Sequence, residues 1–402
     1  MKQKGINSIN VKVSNRATTL QLLLSHGPMP RSDIASQLNL TPATVTSICN
    51  DFMSKGVIIP TEETLHSNGA GRKKSPVAFN YNYKYVIACY ITPDNTYIQL
   101  CNLAGNPLSF TSIPTISEPH ETFLKQIASE SIRLIWDNKM TVDDILGVGV
   151  TTLGPVNHVD GIAINAFNIW KKPVNIKKTL ENELHLPVCL ESNVCSSLYA
   201  ELLYTKLSEE NILAVKWGPG VGSASIIGGK VFKGRQYHSS ELGHNFVDWE
   251  GKLCRCGKRG CLETKISMEA IISQIKDMIH TGSSLTLSKA AEELGEPTQE
   301  NINRYFDLED ESLSIIFDEI SNQLAIVVNN AIQILAPNCL ILSGSVFNNQ
   351  SMLTRFKRQV FKINDTLNDD MFLHSSFPDN KHLIGAVAVA VKRLLVDTAI
   401  LN

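Results

Sequence analysis

Glu241-Leu242-Gly243-His244, followed by Cys254-Arg255-Cys256-Gly257-Lys258-Arg259-Gly260-Cys261-Leu262-Glu263, is the stretch from which the rest of the chain can be read. Three thiols and an imidazole match the tetrahedral Cys3His set of structural zinc, and Gly257 and Gly260 allow the chain to wrap an ion. Loops in a reducing compartment rarely collect three cysteines as close as 254, 256 and 261, so free thiols explain them poorly. Four protein ligands, His244, Cys254, Cys256 and Cys261, would close the coordination sphere. The predicted zinc is therefore architectural rather than hydrolytic, fixing the loop that carries Glu241 and Glu263. The full chain has nine cysteines, an odd number with no secreted disulfide pattern. Cys89, Cys101, Cys189, Cys195 and Cys339 lie in apolar runs and read as small buried hydrophobes, and Cys49 has no assigned chemistry.

Around this stretch lies an ordinary globular composition: 402 residues, 43% hydrophobic and 19% charged, enough for two or three domains. The net charge of −2 argues by itself against a protein that coats nucleic acid or a membrane surface. The charge is unevenly spread, however. Residues 1–80 hold nine Lys/Arg against four acids, or +5, which leaves −7 for the body. No window approaches the ~18 consecutive apolar residues of a membrane span, and the basic N-terminus does not lead into a signal-peptide core. A cytoplasmic protein with no membrane partner is expected.

The basic head reads as three helices and a wing. Ala17, Leu20, Leu23 and Leu24 share a helical face that His26-Gly27-Pro28 ends, and Ser32 offers an N-cap for a short helix bearing Ile34, Ala35 and Leu38. Leu40-Thr41-Pro42 then supplies a turn, a Thr N-cap and a Pro at the first helical position, launching a third helix to Lys55 that Gly56 stops. With Val45, Ile48, Phe52 and Met53 inward, the outward face is Ala43, Thr44, Thr46, Ser47 and Asn50. Such a small, polar face can enter a major groove and meet base edges and thymine methyls. Val57–Ile59 and Val77–Phe79 read as strands around a loop holding Gly71-Arg72-Lys73-Lys74, which suits phosphates or a minor groove. The helical pattern alone fits a small docking domain equally well; the polar face and the basic, glycine-flanked wing favour DNA.

From Tyr81 the pattern alternates. Strands are expected over 85–91, 97–103, 145–150, 188–191, 212–217, 222–227 and 340–343, with helices between them, which is an α/β body. No internal repeat is evident in the sequence.

The E-x-G-H and C-x-C-G-x-x-G-C-x-E segments, with Glu241, His244, Cys254, Cys256, Cys261 and Glu263 in register, resemble the ROK family (repressors, open reading frames and kinases). The similarity is to its repressor branch of xylose-, N-acetylglucosamine- and glucose-responsive regulators, and it spans nearly the whole chain. It extends to Asn15-Arg16, the Arg31-to-Phe52 helix-turn-helix and the Gly71-Arg72-Lys73 wing. The resemblance implies a winged helix-turn-helix domain over 1–80 and, over 81–402, a two-lobed actin-like ATPase (ribonuclease H-like) body for effector binding and dimerisation, its zinc loop at 241–263. It also implies zinc on His244 and the three cysteines, with Glu241, His244 and Glu263 lining a sugar pocket. Asn168 corresponds to the family's pocket Asn before a Trp, in a loop one residue shorter than usual.

Kinase members of the family are similar in carrying a D-x-G-x-T phosphate loop, a G-T-G-x-G loop and an E-N-D segment whose Asp is the general base. Here the first loop reads Tyr90-Ile91-Thr92-Pro93-Asp94, the second Gly218-Pro219-Gly220-Val221-Gly222, and the third Glu191-Ser192-Asn193. Tyr90, Pro219 and Asn193 thus stand where those kinases have Asp, Thr and Asp, and an amide cannot take a hydroxyl proton. Asn193 could equally cap the helix through Leu198 and Leu202. The expected function is a non-enzymatic, DNA-binding regulator, a repressor of carbohydrate genes, sensing a sugar or sugar phosphate in a degenerate kinase-like cleft. Its expected partners are a pseudo-palindromic double-stranded operator and a second copy of itself, as a dimer or dimer of dimers. Candidate DNA contacts are Arg31, Thr41, Ala43, Thr44, Thr46, Ser47, Asn50, Arg72, Lys73 and Lys74, and candidate effector contacts are Asn168, Ser192, Asn193, Glu241, His244 and Glu263. The rival readings are a sugar kinase with an accessory head and a zinc-stabilised module that binds a transport protein.

Overall fold

The computed structural model describes residues 8–61, 76–166, 169–170, 172–234, 237, 240–282, 284–377 and 383–399. These fall into two compact units, one running up to residue 208 and joined by the C-terminal segment from 382, the other covering 209–381.

The first unit begins with helix α1 (Ser8–His26), the short strand β1 (Met29–Pro30), α2 (Arg31–Gln37), α3 (Pro42–Ser54), β2 (Ile58–Pro60) and β3 (Pro76–Phe79). Strand β3 pairs antiparallel with both β1 and β2. Pro30 leads straight from β1 into α2, so that helix starts one residue before the expected cap. Ser32 lies inside it and its hydroxyl bonds Asp33 at 2.8 Å. The third helix begins as its sequence dictates: Thr41 Oγ1 accepts the Thr44 N–H at 3.2 Å, and Pro42 opens the first turn, where no N–H is needed. Leu20, Leu23, Ile34, Val45, Ile48 and Phe52 are buried.

The same unit continues with β4 (Tyr85–Ile91), β5 (Asn95–Asn102), β6 (Pro107–Pro114), α4 (His120–Asp137), β7 (Ile145–Thr152), the small strands β8 (Val156–Asn157), β9 (Ile162–Ala163) and β10 (Val174–Asn175), then α5 (Ile176–Leu184), β11 (Val188–Ser192) and α6 (Asn193–Tyr204). The large sheet has the order β11-β7-β4-β5-β6; β4, β5 and β6 are antiparallel, and β7 and β11 join parallel. Central β7 is buried almost throughout, as a parallel strand covered on both faces should be.

In the second unit β12 (Ile212–Trp217), β13 (Val221–Ile227) and β14 (Lys230–Val231) precede α7 (Glu263–Ile266), α8 (Met268–Thr281), α9 (Leu285–Leu294), α10 (Ile302–Phe306), α11 (Glu311–Leu335), β15 (Cys339–Ser343), α12 (Gln350–Ile363) and β16 (Phe372–His374). The sheet order β14-β13-β12-β15-β16 repeats the plan of the first unit: three antiparallel strands, then two parallel ones. Both sheets therefore have the expected ribonuclease H-like order, repeated in topology without a visible repeat of sequence. Ser267, Ser284, Asp310 and Asn349 cap the starts of α8, α9, α11 and α12, and the core around Trp217, Phe306, Phe317, Phe347 and Phe356 fills the space between sheet and helices.

The chain ends in the first unit with α13 (Ile384–Ala390), which continues as a π-helical turn, Val391–Val396. Helix α13 can lie close on β7 because Gly149 carries no side chain; a Cβ there would meet the Ala386 carbonyl oxygen at 1.9 Å. Among the described residues no helix is long and apolar enough to cross a membrane.

Candidate functional site

On α3 the outward residues Ala43, Thr46, Ser47 and Asn50 are exposed and Thr44 is half-buried, its hydroxyl 2.8 Å from that of the capping Thr41. The helix is held from behind by Val45, Ile48 and Phe52, while Met53 is only half-buried and takes Arg31 Nη2 against its sulfur at 3.1 Å. Arg31 thus stands at the start of α2, partly engaged within the head. Arg72, Lys73 and Lys74 lie outside the described residues. One head residue escaped the sequence-based candidates. Arg16 is 4% exposed, its Nη2 sits 2.7 Å from Asp51 Oδ2, and its guanidinium carbon lies 4.5 Å from the centre of the Phe52 ring. Only the Asn15-Arg16 pairing hinted at it, because its partners are set by tertiary packing.

In the second unit the structure gathers the predicted ligands. One donor atom each from His244, Cys254, Cys256 and Cys261 lies within 4.8 Å of all the others, so the cluster could hold a metal ion. His244 Nδ1 is 3.6 Å from Cys254 Sγ, and Cys256 Sγ is 3.6 Å from Cys261 Sγ. A tetrahedron with metal–sulfur bonds of about 2.3 Å has edges of about 3.8 Å, close to both of these separations. Backbone bonds shape the loop: the Cys254 N–H donates to Lys258 O at 2.7 Å, the Gly257 N–H to Cys254 O at 2.9 Å, and Lys258 Nζ to His244 O at 3.1 Å. Burial holds His244 below the ordinary histidine range against the opposing pull of Glu263 and Glu241, which favours the neutral imidazole that ligates metals. Burial, with neighbouring thiols adding, pushes Cys261 up to about 12 and also raises Cys254; their thiolates need a cation to form at neutral pH.

Glu263 links this loop to the second glycine loop. It is buried; its Oε2 accepts the Val221 N–H at 2.9 Å and its Oε1 meets Arg255 Nε at 3.1 Å. Gly220 leaves room for that carboxylate, since a Cβ there would stand 2.7 Å from Oε2. The Gly218 N–H bonds Gly220 O at 2.7 Å, and Pro219 has no N–H. A phosphate cradle needs such N–H groups pointing at the ligand; here two of them face the protein.

In the first unit Glu191 is 1% exposed, its Oε1 accepting the Ser192 N–H at 2.9 Å and its Oε2 pairing with Arg393 Nη2 at 2.6 Å. Ser192 occupies the N-cap of α6 without a side-chain capping bond, so Asn193 is not the cap but the first helical residue, half-buried. Its carbonyl accepts the Ser196 and Ser197 hydroxyls at 2.8 and 3.0 Å. Tyr90 is half-buried on β4, and Thr92 turns its hydroxyl back onto Asn95 O at 2.6 Å. Asn168 lies outside the described residues, while nearby Trp170 is buried with Phe123 6.3 Å away.

Comparison with known proteins agrees with this architecture. A winged helix-turn-helix DNA-binding model matches residues 19–59, and the ROK family model matches residues 93–393. A putative xylose repressor of Caldicellulosiruptor sp. (strain Rt8B.4) is 24% identical over 365 residues, covering 89% of each chain. Among solved structures, a ROK family transcriptional regulator described as a homologue of the E. coli MLC protein superposes with a TM-score of 0.77 at 22% identity, over 97% of this chain and 98% of its own. A ROK family glucokinase from Streptomyces griseus, in complex with glucose and AMPPNP, gives 0.62 at 21% identity, over 75% of this chain and 98% of its own. The kinase lacks a counterpart for about a quarter of this chain, whereas the regulator matches it from head to body. With the family model covering most of its length, the chain belongs to the ROK family.

Proposed function

We propose that the protein is a sequence-specific DNA-binding repressor of carbohydrate genes that senses a sugar or sugar phosphate and transfers no phosphate. The observation that carries this reading is the small polar face of α3, Ala43, Thr46, Ser47 and Asn50, standing exposed on a helix capped by Thr41 and backed by buried apolar residues. Residues 1–80 form the reading head and 81–402 the effector body. Thr44, Thr46, Ser47 and Asn50 read bases, and Arg31, Thr41, Arg72, Lys73 and Lys74 hold phosphates. Two copies related by a two-fold axis present two such helices to a pseudo-palindromic operator.

Asn168, Ser192, Asn193, Glu241, His244 and Glu263 are the proposed effector residues, chosen for hydroxyl-rich ligands. His244, Cys254, Cys256 and Cys261 would hold zinc, which supplies no chemistry beyond closing the loop that presents Glu263. Against phosphotransfer stand Asn193, which cannot act as base, and the inward bonds of Gly218 and Val221.

Capture of genomic fragments by the full-length protein, followed by sequencing, tests the reading. Recovery of a shared inverted repeat beside sugar-metabolism genes is expected, and fragments no different from bulk DNA would overturn it. Turnover above background in a coupled ADP-release assay across aldoses and amino sugars would restore the kinase reading. The triple variant Arg72→Ala/Lys73→Ala/Lys74→Ala should bind all sequences more weakly and, with six cations lost per bound dimer, lower the slope of log affinity against log salt by about 5 units. An unchanged slope would remove the wing from the interface.

A further inference from the structure

We propose that Arg16 and Arg393 are positioning residues that couple the end of strand β11 to the recognition helix α3 through the C-terminal helix; the functional meaning of this link rests on the reading above. Arg16 binds two parts of the chain at once. Its Nη2 and ring-facing guanidinium hold Asp51 and Phe52 in the last turns of α3, while its Nε donates to the Ala399 carbonyl at 2.8 Å. At the other end of that C-terminal segment, Arg393 donates from Nη1 to Leu190 O at 2.9 Å and from Nη2 to Glu191 Oε2 at 2.6 Å, its guanidinium 5.8 Å from the Tyr199 ring. Glu191 in turn holds the backbone N–H of Ser192, which precedes Asn193. Ser192 and Asn193 are thus joined to Asp51 and Phe52 by arginine-centred, charge-assisted bonds at the two ends of the backbone stretch 393–399, within a single compact unit.

Two features make this more than packing. Apolar residues would stabilise such buried positions at least as well as ion pairs, so the arginines contribute direction, each fork fixing the angle between the elements it bridges. Arg393 also sits within a π-helical turn, Val391–Val396, that leads to Ala399, with the Asp397 N–H bonded to Lys392 O at 2.8 Å. That rare geometry can change register with little loss of hydrogen bonding and is frequent at functional sites. A ligand that shifts Ser192 and Asn193 therefore moves Arg393 and the turn, and Arg16 passes the displacement to the angle at which α3 meets DNA.

Amide hydrogen exchange on the full-length protein, without DNA or sugar, tests the link. Arg16→Met should speed exchange across α3 roughly tenfold, and Arg393→Met should do the same at a distance while leaving residues 209–377 unchanged. The double variant should match Arg16→Met alone within about twofold, because both act through one line, and Arg393→Lys should restore part of the protection. Multiplied effects in the double variant, or an Arg393→Met that loosens only the C-terminal segment and β11, would overturn the coupling. If Arg393→Met does not fold, Arg393→Lys decides alone, with raised α3 exchange supporting the link and unchanged exchange overturning it. Operator capture by the parent protein is a separate readout. Intact coupling with no operator selected would sink the repressor reading, and selection without coupling would sink only this inference.

Discussion

The two units share one strand order but keep their functional ends in place by different means. In the first, Glu191, next to last in β11, is held by the guanidinium of Arg393 from the C-terminal π-helical turn. In the second, the decisive feature is the segment between β14 and α7, where four side chains able to hold a metal ion gather and Glu263, at the start of α7, ties the loop to Val221. An ion pair with a helix can be loosened and reformed, whereas a closed coordination sphere is rigid. The repeated sheet is thus a neutral frame: the unit with the ion pair carries the head, and the unit with the His/Cys cluster carries a loop tied down by Glu263.

The comparison can be broken most forcefully at the cluster. Cys261→Ala should abolish bound zinc, measured by elemental analysis, and destabilise the 209–377 unit by several kcal/mol, within the scale of about 10 kcal/mol known for structural zinc. Limited proteolysis should then cut that unit first; equal zinc content in variant and parent would contradict the assignment. Next comes Arg393→Met, which leaves Glu191 buried without its cation and should cost about 3–5 kcal/mol in the first unit, read as a lower urea midpoint there. A smaller loss, about 1–3 kcal/mol, is expected for Gly220→Ala, whose methyl would displace the Glu263 carboxylate and weaken the second unit alone. Smallest is Thr41→Ala, about 1 kcal/mol from the lost N-cap of α3, detectable as faster exchange in the first turn of that helix.

Much of the architecture was legible because local chemistry and packing agree. Thr41-Pro42 and Gly56 bracket α3, and its apolar spacing points the way the core lies. The buried strands β4, β7, β12 and β15 announce themselves as apolar runs, and the metal cluster shows because its ligands are close in sequence. Strand β6 was missed: Pro107–Pro114 is a sheet edge with mostly exposed or half-exposed residues, so neither alternation nor an apolar run marks it. The early turns of α1 were missed as well, since Ser8–Ser14 offer no continuous apolar stripe. The Ser32 cap failed for a tertiary reason, the pairing of β1 with β3 that drives the chain into α2 at Arg31. Nothing local could reveal that Arg16 would bind Ala399, 383 positions away, or that Arg393 would reach Glu191. Among candidate site residues, Glu241 and Glu263 both act electrostatically on His244, so the three lie near one another as they do in the motif.

The most direct test of the central claim is selection of bound duplexes from a random-sequence DNA library by the full-length protein, in parallel with Thr46→Ala/Ser47→Ala. The account predicts that the parent enriches one inverted repeat and that the variant enriches a repeat altered at positions within each half-site. No enrichment by the parent, or an identical repeat from the variant, would contradict the assignment of α3 as the element that reads DNA.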